Sequence, residues 1–476
     1  MTGGPSRPSG ADAPMPDKDP VKTFQSFADQ LGTNIVHPLG GALFFIAACW
    51  SFIVPKKYAA WALIFIACFI SPAQRFAFLT LDFDFQRAIA ILLVFRAIIL
   101  GEFTNTRFRL IDWCVIAFSL TMVLAGGLRS GGHRYISEMG GAVDIICIYM
   151  VGRTLIRDFE DLKSLMLGAA IASIPVMVFF TVEQMTQWNF FSLLGGVPET
   201  TFIRDGNIRA QGAFTHPIIA GMFWSTFAAM FIGVILSGKK TLKALICGWF
   251  GTISSFIIVL MTNSSTPIAG FLVTLGAWCC FPYRMHLRLI RWVLFLGLAF
   301  IHLIHPTGVH AFIFTNFSFV AGSTGRHRYI LIDGAVSNFS DWALYGSKTK
   351  YNRAFRDITC DYVITAVNGG IVALVLEFAI ITMAFYAAGR TIRAARDREE
   401  LYLAYGVGAA VLTVAVMAIA VSVYGQALVP FYLTFGIAAS LGTLEWNRKT
   451  RRRSVAHGPG NGQAPTMHDP TGENGS

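Results

Sequence analysis

Apolar runs separated by short polar turns follow one another along most of the chain, from about residue 36 to about residue 445. The hydrocarbon core of a bilayer is about 30 Å thick, and about 20 mostly apolar residues cross it as a helix. The pattern therefore predicts an all-α, polytopic integral membrane protein with about 12 or 13 transmembrane helices. The predicted spans are 36–54, 58–72, 87–101, 111–128, 139–152, 162–182, 212–237, 242–262, 266–282, 289–305, 362–388, 402–423 and 428–445.

The stretches outside these runs define the domain organisation. Residues 1–35 form a polar tail rich in Pro, Gly and Asp. Residues 446–476 begin with basic residues and continue rich in Gly, Pro and Asn, which is typical of disorder. Residues 36–445 are expected to form one transmembrane domain, interrupted by one large loop at about 306–361.

Composition supports the membrane interpretation and excludes other classes of protein. Hydrophobic residues make up 54% of the chain and charged residues 14%, whereas soluble domains carry about 25% charged residues. A soluble globular protein, a disordered chain and a disulfide-rich secreted domain are therefore excluded. The 8 cysteines include no CxxC pair, so we expect neither a disulfide framework nor a metal site.

The net charge of +11 reflects topology rather than a nucleic-acid partner. Basic residues cluster in short loops and in the tail, at 239–243, 284–291, 390–398 and 448–453. Such clusters mark the cytoplasmic side of a membrane protein, so the large loop is predicted to face outward, away from the cytoplasm. With 13 spans the N-terminus lies outside, and with 12 spans both ends lie in the cytoplasm.

The large loop mixes charged and aromatic residues. A connection between helices needs only about 2–8 residues, and long loops of this kind often carry function. Arg326 and Arg328 suit phosphate or diphosphate oxygens, Tyr345 suits stacking on a sugar ring, and Asp361 or Asp357 suits removal of a hydroxyl proton. The alternative is a solvated loop whose charges only keep it in water.

Two shorter polar stretches lie on the same predicted side. In 209–217, Arg209 is placed to face an anionic headgroup, and His216 is either a catalytic group or a hydrogen-bonded interfacial side chain. In 262–267, Ser264 either donates to phosphate or sugar, or caps the next helix with Pro267 at its first position.

Three charged residues lie well inside predicted spans, away from the span ends, where charge is costly and marks a functional hypothesis. Arg96 either pairs with Asp144 or helps to hold a diphosphate. Glu377 has no partner that the sequence identifies.

At these residues the chain resembles the O-antigen ligase/polymerase superfamily of bacterial envelope proteins. The segment RAQGAFTHP (209–217) looks like the family's entry into a central span. Three further segments are similar to parts of its large outer loop: STGRHRYILIDGAV (323–336) with Arg326, DWALYGSKTK (341–350) with Gly346, and DITCDYVITAVNGGIVALVLE (357–377) with Tyr362 and Gly370. The family often has Ser-Arg after the polar turn, and its ligases carry a His near the loop's end. Here Ser265 is followed by Thr266, and Thr359 stands near the position of that His.

The resemblance implies transfer of an oligosaccharide from a polyprenyl-diphosphate carrier to a glycan acceptor at the periplasmic face of the bacterial inner membrane, without a cofactor. The acceptor is a second lipid-linked glycan for a polymerase, or lipid A-core for a ligase, and the missing His favours the polymerase. The expected diphosphate contacts are Arg209 and Arg326, with Arg328 and Arg96 behind them. The expected base is Asp361 or Asp357, with His216 as the alternative.

Two other classes of function stay open. A transporter or flippase of lipid-linked oligosaccharide would have a midplane site, broken helices and internal repeats, whereas the polar residues here concentrate in one outer loop. A noncatalytic scaffold that joins other polysaccharide export proteins would tolerate neutralisation of the loop charges.

Overall fold

The structure, a computed structural model, describes residues 35–78, 81–104, 106–130, 132–201, 203–204, 206–238, 241–305, 324–347 and 359–444. The longer helices are α1 (Pro38–Ile53), α2 (Phe85–Ile99), α3 (Leu110–Ser130), α4 (Gly132–Leu155), α5 (Phe159–Thr186), α6 (Pro217–Leu236), α7 (Gly251–Met261), α8 (Ser265–Cys279), α9 (Leu287–Ile304), α10 (Thr324–Ser337), α11 (Asp361–Ala394), α12 (Arg398–Met417) and α13 (Leu428–Leu441). Short helical pieces occupy Lys56–Ala59, Trp61–Phe69, Phe190–Leu194, Leu242–Leu245, Ile246–Phe250, Phe281–His286, Phe339–Trp342 and Gly425–Ala427.

Two short antiparallel hairpins accompany the helices. Strand β1 (Arg75–Phe78) pairs with β2 (Leu81–Asp84), and β3 (Ile203–Arg204) pairs with β4 (Asn207–Ile208). The predicted all-α class is confirmed for the described residues, because these strands form only small additions to the helices.

Seven of the described helices are long and apolar enough to cross a membrane, namely Leu110–Arg129, Tyr135–Leu155, Phe159–Thr186, Pro217–Leu236, Leu242–Met261, Asp361–Ala394 and Arg398–Met417. Four other apolar helices are shorter, at Pro38–Ile53, Ser265–Cys279, Leu289–Ile304 and Gly425–Leu441. The predicted span 58–72 corresponds to the helical pieces Lys56–Ala59 and Trp61–Phe69. They run alongside α5, from the Lys56–Asp161 ion pair at its start to Gln74, whose side-chain amide donates to the Leu194 carbonyl beyond its end. The total of 12 or 13 crossings stays a prediction.

Helix α6 lies at the centre of the bundle and is buried on nearly all sides. Its aromatic side chains contact one another within the core, where Phe223 packs edge-on against Trp224 and stacks on Phe227. Glycines allow α12 to pack closely against α6, since a Cβ at Gly233 would lie 2.9 Å from the Tyr402 carbonyl oxygen. A helix that is apolar all round is expected to be buried in this way, and small residues at helix crossings are typical of membrane bundles.

The helices end in two opposite groups of loops. The loop face consists of residues 187–201, 203–204, 206–216, 262–264, 343–347 and 418–427. Backbone or side-chain hydrogen bonds connect these segments to each other or to the helix ends between them. The basic face lies at the other ends of the helices, where Lys56 pairs with Asp161 at 2.8 Å and Lys163 pairs with Glu399 at 2.8 Å. The stacking of Phe281 on Tyr402 places the segment near Arg284 at this same end.

Helix α11 reverses direction at Gly370, which has a φ of 76° and a ψ of −174°. The rings of Tyr362 and Phe378 stack with centroids 5.0 Å apart, whereas a straight helix would separate these positions by about 24 Å. The predicted continuous span 362–388 is therefore wrong. Residues 361–369 form a short arm that folds back on residues 371–394, and only the second part is long enough to cross.

Residues 343–347 fill the break and explain why glycine stands there. The Ile371 N–H donates to the Ala343 carbonyl at 2.9 Å, and the Ser347 N–H donates to the Val367 carbonyl at 2.9 Å. A Cβ at Gly370 would lie 2.5 Å from the Leu344 carbonyl oxygen. The backbone groups left open by the break are thus paired within the protein, as a membrane environment requires.

We predict that Gly370→Ala destabilises the protein by at least about 2 kcal/mol, because alanine meets both a positive φ and a backbone clash. The matched control is Gly276→Ala, since a Cβ there meets nothing within 4 Å. Thermal unfolding of the purified protein in detergent measures both variants. Equal Tm values for the two variants would contradict the described reversal.

Candidate functional site

The loop that enters α6 is held by Glu183, a buried residue near the end of α5. Its carboxylate accepts hydrogen bonds from the Gln211 N–H at 3.0 Å, the Gly212 N–H at 2.9 Å and the Thr201 hydroxyl at 2.7 Å. Charge-assisted bonds of this kind are stronger than neutral ones. Sequence reasoning missed Glu183, although an acidic residue at the end of an apolar run was a usable signal.

Gly212 lets this loop lie directly on α5, as its position in the RAQGAFTHP segment indicates. Its φ is 58°, and a Cβ there would lie 2.3 Å from the ring of Phe180. The Asn189 amide donates to the Gly212 carbonyl at 2.9 Å. The backbone between Glu183 and α6 is therefore fixed on both sides, and this fixes the side chains that it carries.

The structure brings Arg209 and the polar turn 262–264 together. Arg209 is buried, and its Nε donates to the Thr262 carbonyl at 3.4 Å. Ser264 occupies the N-cap position of α8, but its hydroxyl makes no capping bond. Pro267 is the third residue of that helix rather than the first, because the helix already begins at Ser265.

His216 is the N-cap residue of α6, and its Nδ1 accepts a hydrogen bond from the Ile218 N–H at 3.1 Å. Burial, together with the nearby charges of Arg209 and Arg204, lowers the pKa of His216 to about 4. The imidazole is therefore neutral at pH 7, with its proton on Nε2. This geometry suits a hydrogen-bond donor better than a general base.

Asp361 lies at the start of the folded-back arm, beside Glu377 on the second part of α11. The Asp361 carboxylate accepts a hydrogen bond from the Val423 N–H at 2.8 Å, and its own N–H donates to the Ala418 carbonyl at 2.8 Å. Glu377 is buried close to Asp361 and Thr365, yet neither of its carboxyl oxygens makes a well-formed hydrogen bond within the described part of the chain. Buried groups of this kind are functional candidates.

Residues 418–427 connect Asp361 to the entry of α6. At its start the Ala418 carbonyl accepts from the Asp361 N–H, and in its middle the Val423 N–H donates to the Asp361 carboxylate. At the other end the buried Gln426 accepts from the Thr215 N–H at 3.3 Å and donates to the Ala213 carbonyl at 2.9 Å. The acidic group and His216 therefore border one continuous segment of the loop face.

Arg96 lies away from this site, and the structure contradicts its predicted pairing with Asp144. Its guanidinium donates to the Ser51 carbonyl at 2.7 Å and to Glu102 at 3.0 Å, towards the basic face. Asp144 is instead bound by Arg87 through two hydrogen bonds of 2.8 Å each. Both charges are thus neutralised by neighbours that no sequence pattern identified.

The described part of the large loop packs against α11. Trp342 is buried against α11, and its indole N–H donates to the Ala335 carbonyl at 2.7 Å. An open apolar cavity of about 520 Å³ lies between this segment and α11, where Trp342, Tyr362 and Phe378 contribute to its walls. Tyr345 follows in the segment that fills the helix break and is 38% exposed.

The remaining predicted residues are only partly located. Arg326 and Arg328 lie on helix α10, and their side chains are outside the described part of the structure. Asp357 lies outside the described residues.

Arg129 is a further buried charge that sequence reasoning missed. It lies near the end of α3, and its guanidinium donates to the Asn368 side-chain oxygen at 2.8 Å, next to the helix break. It also forms an ion pair with Glu138 at 3.5 Å. A basic residue at the loop face runs against the positive-inside pattern, which was the available signal.

Among the described residues, no group of three or more His, Cys, Asp or Glu side chains is placed to hold a metal ion. No known family model matches the chain, and no curated protein matches it. The site is therefore interpreted from its geometry.

We predict that protonation of His216 weakens the folded state as the pH falls from about 6.5 to about 4. The folded-state pKa is lowered to about 4, so the unfolded chain binds more protons in this window and stability is lost there. His216→Asn keeps a good capping residue but removes the imidazole. The Tm advantage of the unmodified protein over this variant should shrink across the window, and a constant difference from pH 7 to pH 4 would contradict the assignment.

Proposed function

We propose that the protein transfers an oligosaccharide from a polyprenyl-diphosphate carrier to a glycan acceptor at the loop face. The observation that carries this proposal is the position of the buried Arg209. It lies with Arg204 and His216 near one end of segment 418–427. Asp361 lies near the other end of the same segment. The site thus offers cations for a leaving diphosphate and a carboxylate for an acceptor hydroxyl.

The assignment of the Arg209 end of the site to the diphosphate is supported by positive helix ends that lie close to this side chain. The first turns of α6 and α8 pack together, since a Cβ at Gly221 would lie 2.2 Å from Pro267. The positive ends of two helix dipoles therefore lie next to Arg209. Fixed donors aimed at developing negative charge are a major source of catalysis.

The transfer itself needs one bond made and one broken. The acceptor hydroxyl oxygen bonds to the anomeric carbon, while the bond from that carbon to the diphosphate oxygen breaks and the lipid diphosphate leaves. The hydroxyl proton passes to the Asp361 carboxylate, which Val423 orients. Glu377 is assigned as a positioning residue for Asp361, and the apolar cavity beside Trp342 and Tyr362 suits the isoprenoid chain.

Location and acceptor are part of the same proposal. The basic residues at the opposite ends of the helices support a cytoplasmic location for that end by the positive-inside rule, and we assign the loop face to the periplasmic side of a bacterial inner membrane. Polymerisation onto a second lipid-linked glycan is preferred to ligation onto lipid A-core, because the described end of the loop carries Thr359 where ligases of the resembling family carry His.

A transporter or flippase is the second candidate, and the break in α11 favours it. Discontinuous helices with buried carboxyl groups are typical of secondary transporters. The two functions separate in proteoliposomes that are supplied with lipid-linked glycan extracted from the source strain. An enzyme lengthens the glycan, whereas a flippase moves it between leaflets without changing its length.

We predict that Arg209→Gln lowers glycan elongation in these proteoliposomes by about 100-fold, the usual effect of removing one group that stabilises a leaving anion. The matched control is Lys57→Gln, which removes an exposed positive charge beside Tyr58 at the basic face and should retain full activity.

Asp361→Asn is expected to reduce elongation less than Arg209→Gln does, because departure of the diphosphate dominates the barrier. Normal elongation by Arg209→Gln, at equal protein level, would refute the site assignment.

A further inference from the structure

A second cavity lies at the basic face, far from the loop face. It has a volume of about 360 Å³ and is bordered by the start of α3, the part of α11 around Tyr386 and the end of α13. Arg109 and Arg390 contribute its charged wall, and Leu110, Met383 and Tyr386 contribute apolar surface. It shares no residue with the proposed transfer site.

The two arginines in this cavity differ from the other buried or half-buried basic residues of the basic face. Lys56 and Lys163 are paired with carboxylates, and Arg153 binds Asp112 at 3.0 Å. Within the described residues, neither the Arg109 nor the Arg390 guanidinium makes a hydrogen bond or an ion pair.

Electrostatics at this cavity favours an anion. Burial and the charges of Arg390 and Arg153 lower the pKa of Arg109 below its ordinary value. The nearest carboxylate, Asp112, is already occupied, since it accepts hydrogen bonds from Tyr149, Arg153 and the Arg109 backbone N–H. Two like charges held together without a counterion are stabilised by a bound anion.

The surroundings of the cavity indicate that this anion carries hydrocarbon chains. Leu110 is 67% exposed and Tyr386 is 63% exposed, and both lie on helices that are long and apolar enough to cross a membrane. At the ends of membrane-crossing helices, such exposed side chains would face lipid near the level of the headgroups. A basic pocket between membrane helices at such a level is suited to an anionic headgroup.

We propose that Arg109 and Arg390 together bind the phosphodiester group of an anionic phospholipid at the basic face, with its acyl chains against Leu110, Met383 and Tyr386. The lipid would join α3 to α11 at the end opposite to the Arg129–Asn368 hydrogen bond. This inference does not depend on the proposed glycan transfer.

The test compares lipid binding by the purified full-length protein after detergent removal of bound lipid. Phosphatidylglycerol and phosphatidylcholine are added separately, and retained lipid is measured by native mass spectrometry together with the Tm. The double variant Arg109→Gln/Arg390→Gln is compared with Arg107→Gln/Arg393→Gln. The control pair makes the same change in charge at exposed positions of the same face.

We expect the unmodified protein and the control to retain phosphatidylglycerol about 10-fold better than phosphatidylcholine, and the Arg109/Arg390 variant to lose this preference. An unchanged preference in that variant would overturn the proposal. If the double variant fails to fold, the single Arg390→Gln variant replaces it, with Arg393→Gln as its control, and the same loss is expected.

Inorganic phosphate distinguishes the possible sources of the anion. It should give no rise in Tm at concentrations where phosphatidylglycerol raises the Tm by several degrees. An equal rise with inorganic phosphate would mean that the cavity binds a soluble anion, and would overturn the assignment to a lipid.

Discussion

The reversal of the chain at Gly370 leaves backbone groups open within a membrane bundle, and these groups must be paired inside the protein. Residues 343–347 supply the partners, through Ala343 for the Ile371 N–H and Ser347 for the Val367 carbonyl. The same reversal carries Asp361 back to Glu377. The end of the large loop, the short arm and the acidic pair therefore form one structural unit.

A second unit completes the loop face. Glu183 fixes the backbone that carries Arg209 and His216, and the buried helix α6 beneath it provides a rigid base. The segment 418–427 joins this unit to the first through Gln426 and Val423. Arg209 and His216 thus lie near one end of the segment and Asp361 near the other, and the proposed transfer uses this separation.

The helices could be predicted because apolarity over about 20 residues is a local property of the chain. The break in α11 could not, since the positive φ of Gly370 depends on a segment more than 20 residues earlier. Arg209, Ser264 and His216 were found as polar groups at helix entries, and the contact of Arg209 with the 262–264 turn followed only from packing. The Arg96–Asp144 pairing was wrong for the same reason, because the choice between Arg87 and Arg96 is made by neighbouring helices.

The central claim is that the loop face consumes a polyprenyl-diphosphate-linked glycan. The most direct measurement is the mass-spectrometric profile of lipid-linked glycans in a strain from which this gene has been deleted. The account predicts accumulation of single lipid-linked repeat units, whereas long lipid-linked chains beside unmodified lipid A-core would indicate a ligase instead. A profile identical to that of the parent strain would contradict the account.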